Sequence, residues 1–218
     1  MQSSLRDKVV QVAVFVSGNG TNLQALIDYE QRCRCPWHIA LVVSDRTCAG
    51  ALTRAAAAGI STVVVSPGAV LGTAARTASR GEKRAAVSDA ALVHCTAQSI
   101  DVIVLAGFLT VLTGKILSSY AERIINIHPS LLPKFGGEGM WGTAVHDAVI
   151  AARETESGCT VHLVDAGCDT GTILVQRRVP VLSDDTPERL ACRIAPVEHE
   201  AIVAGVCLLA ARYAAAVS

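Results

Sequence analysis

Short apolar runs rich in β-branched residues alternate along this chain with segments of helical spacing, and few folds accommodate that alternation. Residues 9–16 form the first run and end abruptly at Ser17-Gly18-Asn19-Gly20; residues 21–31 then carry Leu23, Leu26 and Ile27 at helical intervals. Further strands are predicted over 39–43, 61–65 and 101–106, with helices over 48–58 and 82–98 between them. The last of these strands, Asp101-Val-Ile-Val-Leu-Ala106, gives the strongest signal. Residues 66–81, rich in Gly, Ala, Ser and Thr, read as a long loop with at most one helical turn. Strands that are apolar throughout have no wet face, so they belong in a parallel sheet covered by helices on both sides. The expectation is a doubly wound, mostly parallel α/β sheet.

Residues 123–127 continue that sheet, and the pattern then changes. Segments 158–164 and 172–180 read as two strands joined by the turn Asp165-Ala-Gly-Cys-Asp-Thr-Gly171, an antiparallel addition at one end. A terminal helix starts at Thr186, with Glu188 and Glu200 on its polar side and Ile202, Val206 and Leu209 on its apolar side. Neither a repeat nor a linker interrupts the chain, so residues 1–218 read as one domain. Aromatic residues are only 4% of the sequence, which leaves Ala, Val, Leu and Ile to build the core.

Lys plus Arg and Asp plus Glu number 19 each, so the basic excess expected of an extended nucleic-acid footprint is missing. A small anion remains a possible ligand, because backbone amides bind phosphate without net charge. Arg6 and Lys8 precede the first apolar run, but that run ends at glycine without a cleavage site and reads as a strand. No stretch approaches the ~18 apolar residues of a membrane span. Eight cysteines lack a pairing rhythm and are expected to be reduced and mostly buried, in a cytoplasmic protein. Cys159-x-x-His162 with Cys168 nearby is half of a zinc pattern, which favours packing over a metal.

Two segments carry chemistry. Ser17-Gly18-Asn19-Gly20-Thr21-Asn22 joins the first strand to the first helix, where unpaired N–H groups and the helix dipole favour a phosphate. Thr21 or Asn22 is the expected cap. A nicotinamide reading is weakened because Leu23 stands where the dinucleotide fingerprint needs a third glycine, although Asp45 lies near the place of a ribose-binding acid. The second segment is Asn126-Ile-His128-Pro129-Ser-Leu-Leu-Pro133. Alternation puts Asn126 and His128 on one face, and Pro129 stops the strand there. An amide donor and an imidazole at a strand's carboxyl end suit a tetrahedral oxyanion and a proton transfer. Asp165 and Asp169 of the distant turn are candidate acids, and an aspartate nearby is expected to raise the pKa of His128.

The chain resembles the folate-dependent glycinamide ribonucleotide formyltransferases. Four blocks carry the resemblance, in order: residues 17–22, Leu105-Ala-Gly-Phe-Leu109, residues 126–133, and Val161-His-Leu-Val-Asp-Ala-Gly-Cys-Asp-Thr-Gly171. It implies a formyltransferase-like fold, with a phosphate-binding N-terminal half and a folate-binding, catalytic C-terminal half. It also implies transfer of a formyl group from 10-formyltetrahydrofolate to the amine of 5-phosphoribosylglycinamide in purine synthesis, without a metal. Asn126, His128 and Asp169 would then be catalytic. Gly18, Asn19, Gly20, Thr21, Asn22 and Glu198 would hold the ribonucleotide. Arg84, Leu109, Thr110, Val111 and Leu112, with Asn126 and the turn Asp165, Ala166, Gly167, Cys168 and Asp169, would line the folate site. The partners implied are those two small molecules, with no nucleic acid or membrane, in a monomer or homodimer.

Some positions depart from that pattern. Thr110 stands where many relatives carry arginine, residues 136–142 replace a more usual Pro-Gly-Leu-His stretch, and Ala195-Pro196 replaces polar contacts; His146 reads as structural. The rival readings are another folate-dependent formyltransferase, such as methionyl-tRNA formyltransferase or formyltetrahydrofolate hydrolase, a nicotinamide dinucleotide oxidoreductase, and a non-catalytic nucleotide-binding module.

Overall fold

In the computed structural model, which describes residues 9–217, one seven-stranded sheet has the order β3-β2-β1-β4-β5-β6-β7. Arg6 and Lys8 lie outside the described residues. The parallel strands are β1 (Val10–Val16), β2 (Trp37–Ser44), β3 (Ser61–Val64), β4 (Val102–Leu105) and β5 (Ile124–His128). β6 (Glu156–Leu163) and β7 (Ile173–Pro180) add antiparallel at one edge, as the change of pattern predicts. From β1 the chain winds outward through β2 and β3, then returns to place β4 on the other side of β1. The crevice between the carboxyl ends of β1 and β4 is therefore the topological switch point, where open α/β sheets bind ligands.

Both faces of the sheet are covered, which is why β1 and β4 have hardly a polar residue. One face holds Val12, Val14, Val104, Ile125 and Val161 against α1 (Thr21–Arg32), α2 (Gly50–Ala57) and the long α7 (Pro187–Val217). The other holds Phe15, Leu41, Val43 and Ile103 against α4 (Arg80–Ala97) and α5 (Lys115–Ser119). Trp37, 1% exposed, stacks on Tyr29 of α1 with ring centroids 6.1 Å apart.

Several expectations need correction. Residues 66–81 are not an open loop: α3 (Pro67–Leu71) starts with Pro67 in its first turn and the Ser66 hydroxyl accepting from Ala69 N–H, and a 3₁₀ turn follows over Gly72–Arg76. Ser79 and Glu82 then form a reciprocal capping box that starts α4 two residues early. α5 and α6 (Thr143–Ala151) appear where no helix is predicted. Only Cys95 and Cys159 of the eight free thiols are buried; Cys33, Cys48 and Cys192 are exposed. α7 is long and apolar enough to cross a membrane by length and composition, contrary to the sequence estimate. Here its apolar side, Leu190, Ile194, Ile202, Val206 and Leu209, is buried against the sheet.

α7 approaches the sheet tightly at Gly205, where a Cβ would lie 2.6 Å from Val161 Cγ1 and 3.4 Å from Ile125 Cδ1. Val161 is β-branched, stiff and fully buried, so it cannot swing aside. Gly205→Val is expected to lower the unfolding free energy by about 2 kcal/mol, measured as a lower urea midpoint at unchanged slope.

Candidate active site

Four polar side chains converge beneath the carboxyl ends of β4 and β5. Asn126 and His128 share a face of β5, as alternation requires, and the antiparallel register sets His162 of β6 opposite Asn126. Asn126 Nδ2 lies 3.2 Å from His162 Nε2 and 3.4 Å from Asp169 Oδ1. The Asp169 carboxylate stands 3.5 Å from His128 Nδ1 by one oxygen and 3.5 Å from His162 Nε2 by the other. Of the two candidate acids the structure therefore selects Asp169. Asp165 instead ties its own turn together, accepting from Gly167 N–H at 2.9 Å and from the Thr170 hydroxyl at 2.7 Å.

The strand end is braced by buried polar contacts. Thr160, opposite His128 in the register, donates its hydroxyl to Ser130 O at 2.7 Å and accepts from Leu132 N–H at 3.1 Å. Gln176 Nε2 bridges Thr160 Oγ1 and Leu132 O, and the Ser130 hydroxyl donates to Lys134 O. This brace delivers Phe135 O to His128 Nε2 at 2.8 Å. Both ring nitrogens of His128 thus have protein partners. Phe135 and Asp169 both take left-handed backbone, at φ 56° and 58°. Such conformations persist only where surrounding contacts hold them.

Electrostatics correct one expectation. Burial pushes the His128 imidazole below its ordinary value, and this outweighs the pull of Asp169 and the Phe135 carbonyl in the other direction. Asp169 is also opposed by burial, but the His162 contact, the Gly137 N–H at 3.0 Å and His128 hold its carboxyl below the usual range. The resting pair is neutral imidazole beside carboxylate. His146 of α6 is buried near His128 with its Nδ1 unpartnered, and burial lowers it too.

A pocket of about 330 Å³ opens over this cluster, lined by Phe108, Leu109 and Val111 on one side, Arg80 and Arg84 at the mouth, and the turns 137–141 and 165–169. Of the residues assigned to a folate site, Arg84, Leu109, Val111, Asn126, Asp165, Gly167, Cys168 and Asp169 line it. Thr110 and Leu112 do not: the Thr110 hydroxyl donates to Asp45 at 2.7 Å, and Leu112 is buried in the core. Ala166 is exposed beside the pocket without lining it.

The glycine loop abuts the pocket wall, since Ser17 N–H donates to Gly107 O and Ser17 Oγ accepts from Leu109 N–H at 2.8 Å. Gly20, not Thr21 or Asn22, is the N-cap of α1, at φ 74°, with a Cβ position only 2.5 Å from that of Ala51. Only glycine fits there. No side chain caps the helix, so its first-turn N–H groups are left for an anion. Gly18 is different: a Cβ there meets nothing within 4 Å, and Asn19 beside it is exposed. Asn22 Oδ1 is buried without a partner, and Thr21 borders a separate groove between α1 and α7. Glu198 lies outside the pocket on α7, half-buried, its carboxyl pushed up to about 7 by desolvation.

His162 is the residue that sequence reasoning misses. The half zinc pattern groups it with Cys159, but those two positions fall on opposite faces of β6. Cys159 packs in the core, while His162 faces Asp169. The antiparallel pairing of two strands, each carrying a polar residue on one face, was the available signal.

Comparison with known proteins agrees with this geometry. A formyl transferase family model matches residues 10–206. The chain is 40% identical over 211 residues to the trifunctional purine biosynthetic protein adenosine-3 of Drosophila melanogaster, covering 95% of this chain but 14% of that protein. The solved glycinamide ribonucleotide transformylase 1 of Symbiobacterium toebii superposes with a TM-score of 0.83 at 34% identity, over 96% of this chain and 92% of that one. The phosphoribosylglycinamide formyltransferase of Brucella melitensis gives 0.80 at 39% identity, over 94% and 97%. The match of the formyl transferase model across residues 10–206, nearly the whole described chain, places this protein in the formyl transferase family.

Proposed function

We propose that the chain transfers the formyl group of 10-formyltetrahydrofolate to the amine of 5-phosphoribosylglycinamide, a step of purine synthesis. The carrying observation is the Asn126–His128–Asp169 cluster at the floor of a pocket that adjoins an uncapped helix N-terminus. One feature suits a donor, the other a phosphorylated acceptor. The names of the solved relatives, whose chains match this one almost end to end, support the same reading.

In this reading the acceptor's phosphate sits on the first-turn amides of α1 and on Gly18, Asn19 and Gly20. Its amine then reaches the formyl carbon over β5. As the new C–N bond forms, the carbonyl electron pair moves to oxygen, and Asn126 Nδ2 donates to that oxyanion. The acceptor nitrogen loses a proton to His128, which is neutral at rest. Asp169 stabilises the imidazolium once it forms, although it does not supply enough field to charge it in the empty site. Cleavage of the bond to N10 of tetrahydrofolate completes the transfer, with the proton passing to that nitrogen. Holding both substrates in one crevice contributes much of the acceleration, of order 10⁵ M or more in effective molarity. Because Phe135 O can only accept, the resting ring carries its proton at Nε2, and His128 accepts a proton there only after that contact breaks and the ring proton moves to Nδ1, beside Asp169. The reading also makes this a cytoplasmic enzyme acting on small molecules, with neither nucleic acid nor membrane as partner, as a monomer or homodimer.

His128→Ala is expected to keep the fold and lose about 10²–10⁴ in kcat for formyl transfer, followed by folate absorbance with purified acceptor and donor. Transfer at the wild-type rate by the folded variant would sink the mechanism. The depressed imidazole also fixes the sign of the pH dependence. Protonation disables the acceptor of the proton, so kcat/KM rises with pH and levels off below the ordinary histidine value of about 6.5. Asp169→Asn removes the carboxylate that holds His128 up, so the acid limb moves to still lower pH while the plateau falls. A limb that stays in place would separate Asp169 from His128. Gly18→Ala meets no protein atom, so stability should change by less than about 0.5 kcal/mol. The acceptor KM should rise about tenfold, or about 1.4 kcal/mol, because the added methyl projects into the open space where the phosphate would sit, with donor KM unchanged. An unaltered acceptor KM places the phosphate elsewhere.

A further inference from the structure

The outer wall of the pocket is a strap, Gly136-Gly-Glu-Gly-Met-Trp-Gly142. Gly137, Gly139 and Gly142 take φ of 100°, 90° and 60°, and a Cβ on any of them would meet nothing within 4 Å. Conformation, not crowding, requires glycine at these points. Such a segment holds its course only where it is fastened. Three fastenings are visible. Phe135 O receives His128 Nε2, Gly137 N–H donates to Asp169 Oδ2, and Glu138 Oε1 accepts from Arg84 Nη2 at 2.8 Å and from Arg80 Nη1 at 3.3 Å.

The third fastening differs from the other two in its setting. The Phe135 and Gly137 contacts are partly buried, whereas the Glu138 side chain is 65% exposed, against 79% for Arg80 and 27% for Arg84. Arg80 and Arg84 lie one turn apart on α4, so both guanidinium groups point to one spot at the pocket mouth. Among the described residues they are the only Lys or Arg lining the pocket. Their shared occupant is a carboxylate from the protein itself. An exposed ion pair of this kind contributes little and exchanges readily for another carboxylate.

We propose that Glu138 is an internal competitor for the anionic tail of the donor, occupying the arginine pair that a carboxylate at the outer end of the ligand takes over. The inference rests on the donor assigned above, since 10-formyltetrahydrofolate ends in a glutamate with two carboxylates. Tail binding then unfastens the strap at residue 138. The strap's remaining ties are made by Phe135 to His128 and by Gly137 to Asp169, three residues and one residue along the chain from Glu138. Occupancy of the mouth is in this way felt at the Phe135 contact that blocks His128. Glu138 is a residue that sets donor affinity by being displaced, not by touching the donor.

The test compares two donors, 10-formyltetrahydrofolate and 10-formyltetrahydropteroate, which lacks the glutamate. Glu138→Gln keeps the size of the side chain and removes its charge. It should lower the KM of the tailed donor by about two- to fivefold, the range of an exposed ion pair, and leave that of the tailless donor unchanged. Arg84→Ala should raise the tailed donor's KM by more than the tailless donor's. If Glu138→Gln raises the tailed donor's KM, leaves it unchanged, or shifts both donors alike, Glu138 merely props the strap and the proposal fails. If the wild-type chain transfers formyl from neither donor, the donor assignment itself is wrong and the proposal falls with it.

Discussion

Antiparallel pairing of β5 with β6 sets Asn126 directly across from His162, and the Asp169 carboxylate then reaches both imidazoles of the cluster. The rest of the site is arranged around that shared anion. Gly137 N–H and Asn126 Nδ2 approach its oxygens, and the left-handed backbone at residue 169 aims it into the crevice. At His128 the carboxylate draws a proton toward the ring while burial opposes it.

Desolvation and attraction compete at His128, and desolvation prevails in the empty site. The same burial that keeps the imidazole neutral strengthens its response to a negative oxygen forming nearby, because the low-dielectric surroundings screen little. A histidine already charged at rest would have no proton left to accept. Burial therefore keeps the group unprotonated at rest, and Asp169 keeps the charged form within reach.

The parallel half of the fold is legible because its strands are apolar on both faces: Val12, Val14 and Phe15 leave β1 no alternative to a doubly covered sheet. The Asn126/His128 pair is legible for a related reason, since Pro129 marks where the strand must stop. What escapes depends on partners distant in sequence. His162 acquires meaning only from its register with Asn126, and Cys159 beside it faces the other way. Ser79 and Glu82 display the capping spacing, yet a composition of Gly, Ala, Ser and Thr masks it as loop. α6 is short and enters from Gly142, so Val145 and Val149 give too few turns for periodicity to register. The direction of the His128 shift follows from how much protein covers the ring, a quantity no local pattern contains.

The chain's two tryptophans sit in opposite surroundings: Trp37 is sealed between α1 and the sheet, while Trp141 stands 60% exposed on the glycine-rich strap. Their emission therefore divides by location. The indole inside the core reports whether the whole molecule is folded, and the one at the surface reports what happens at the mouth of the crevice. Spectroscopy on the unlabelled protein can follow both events in one sample, because nature has put one reporter on each.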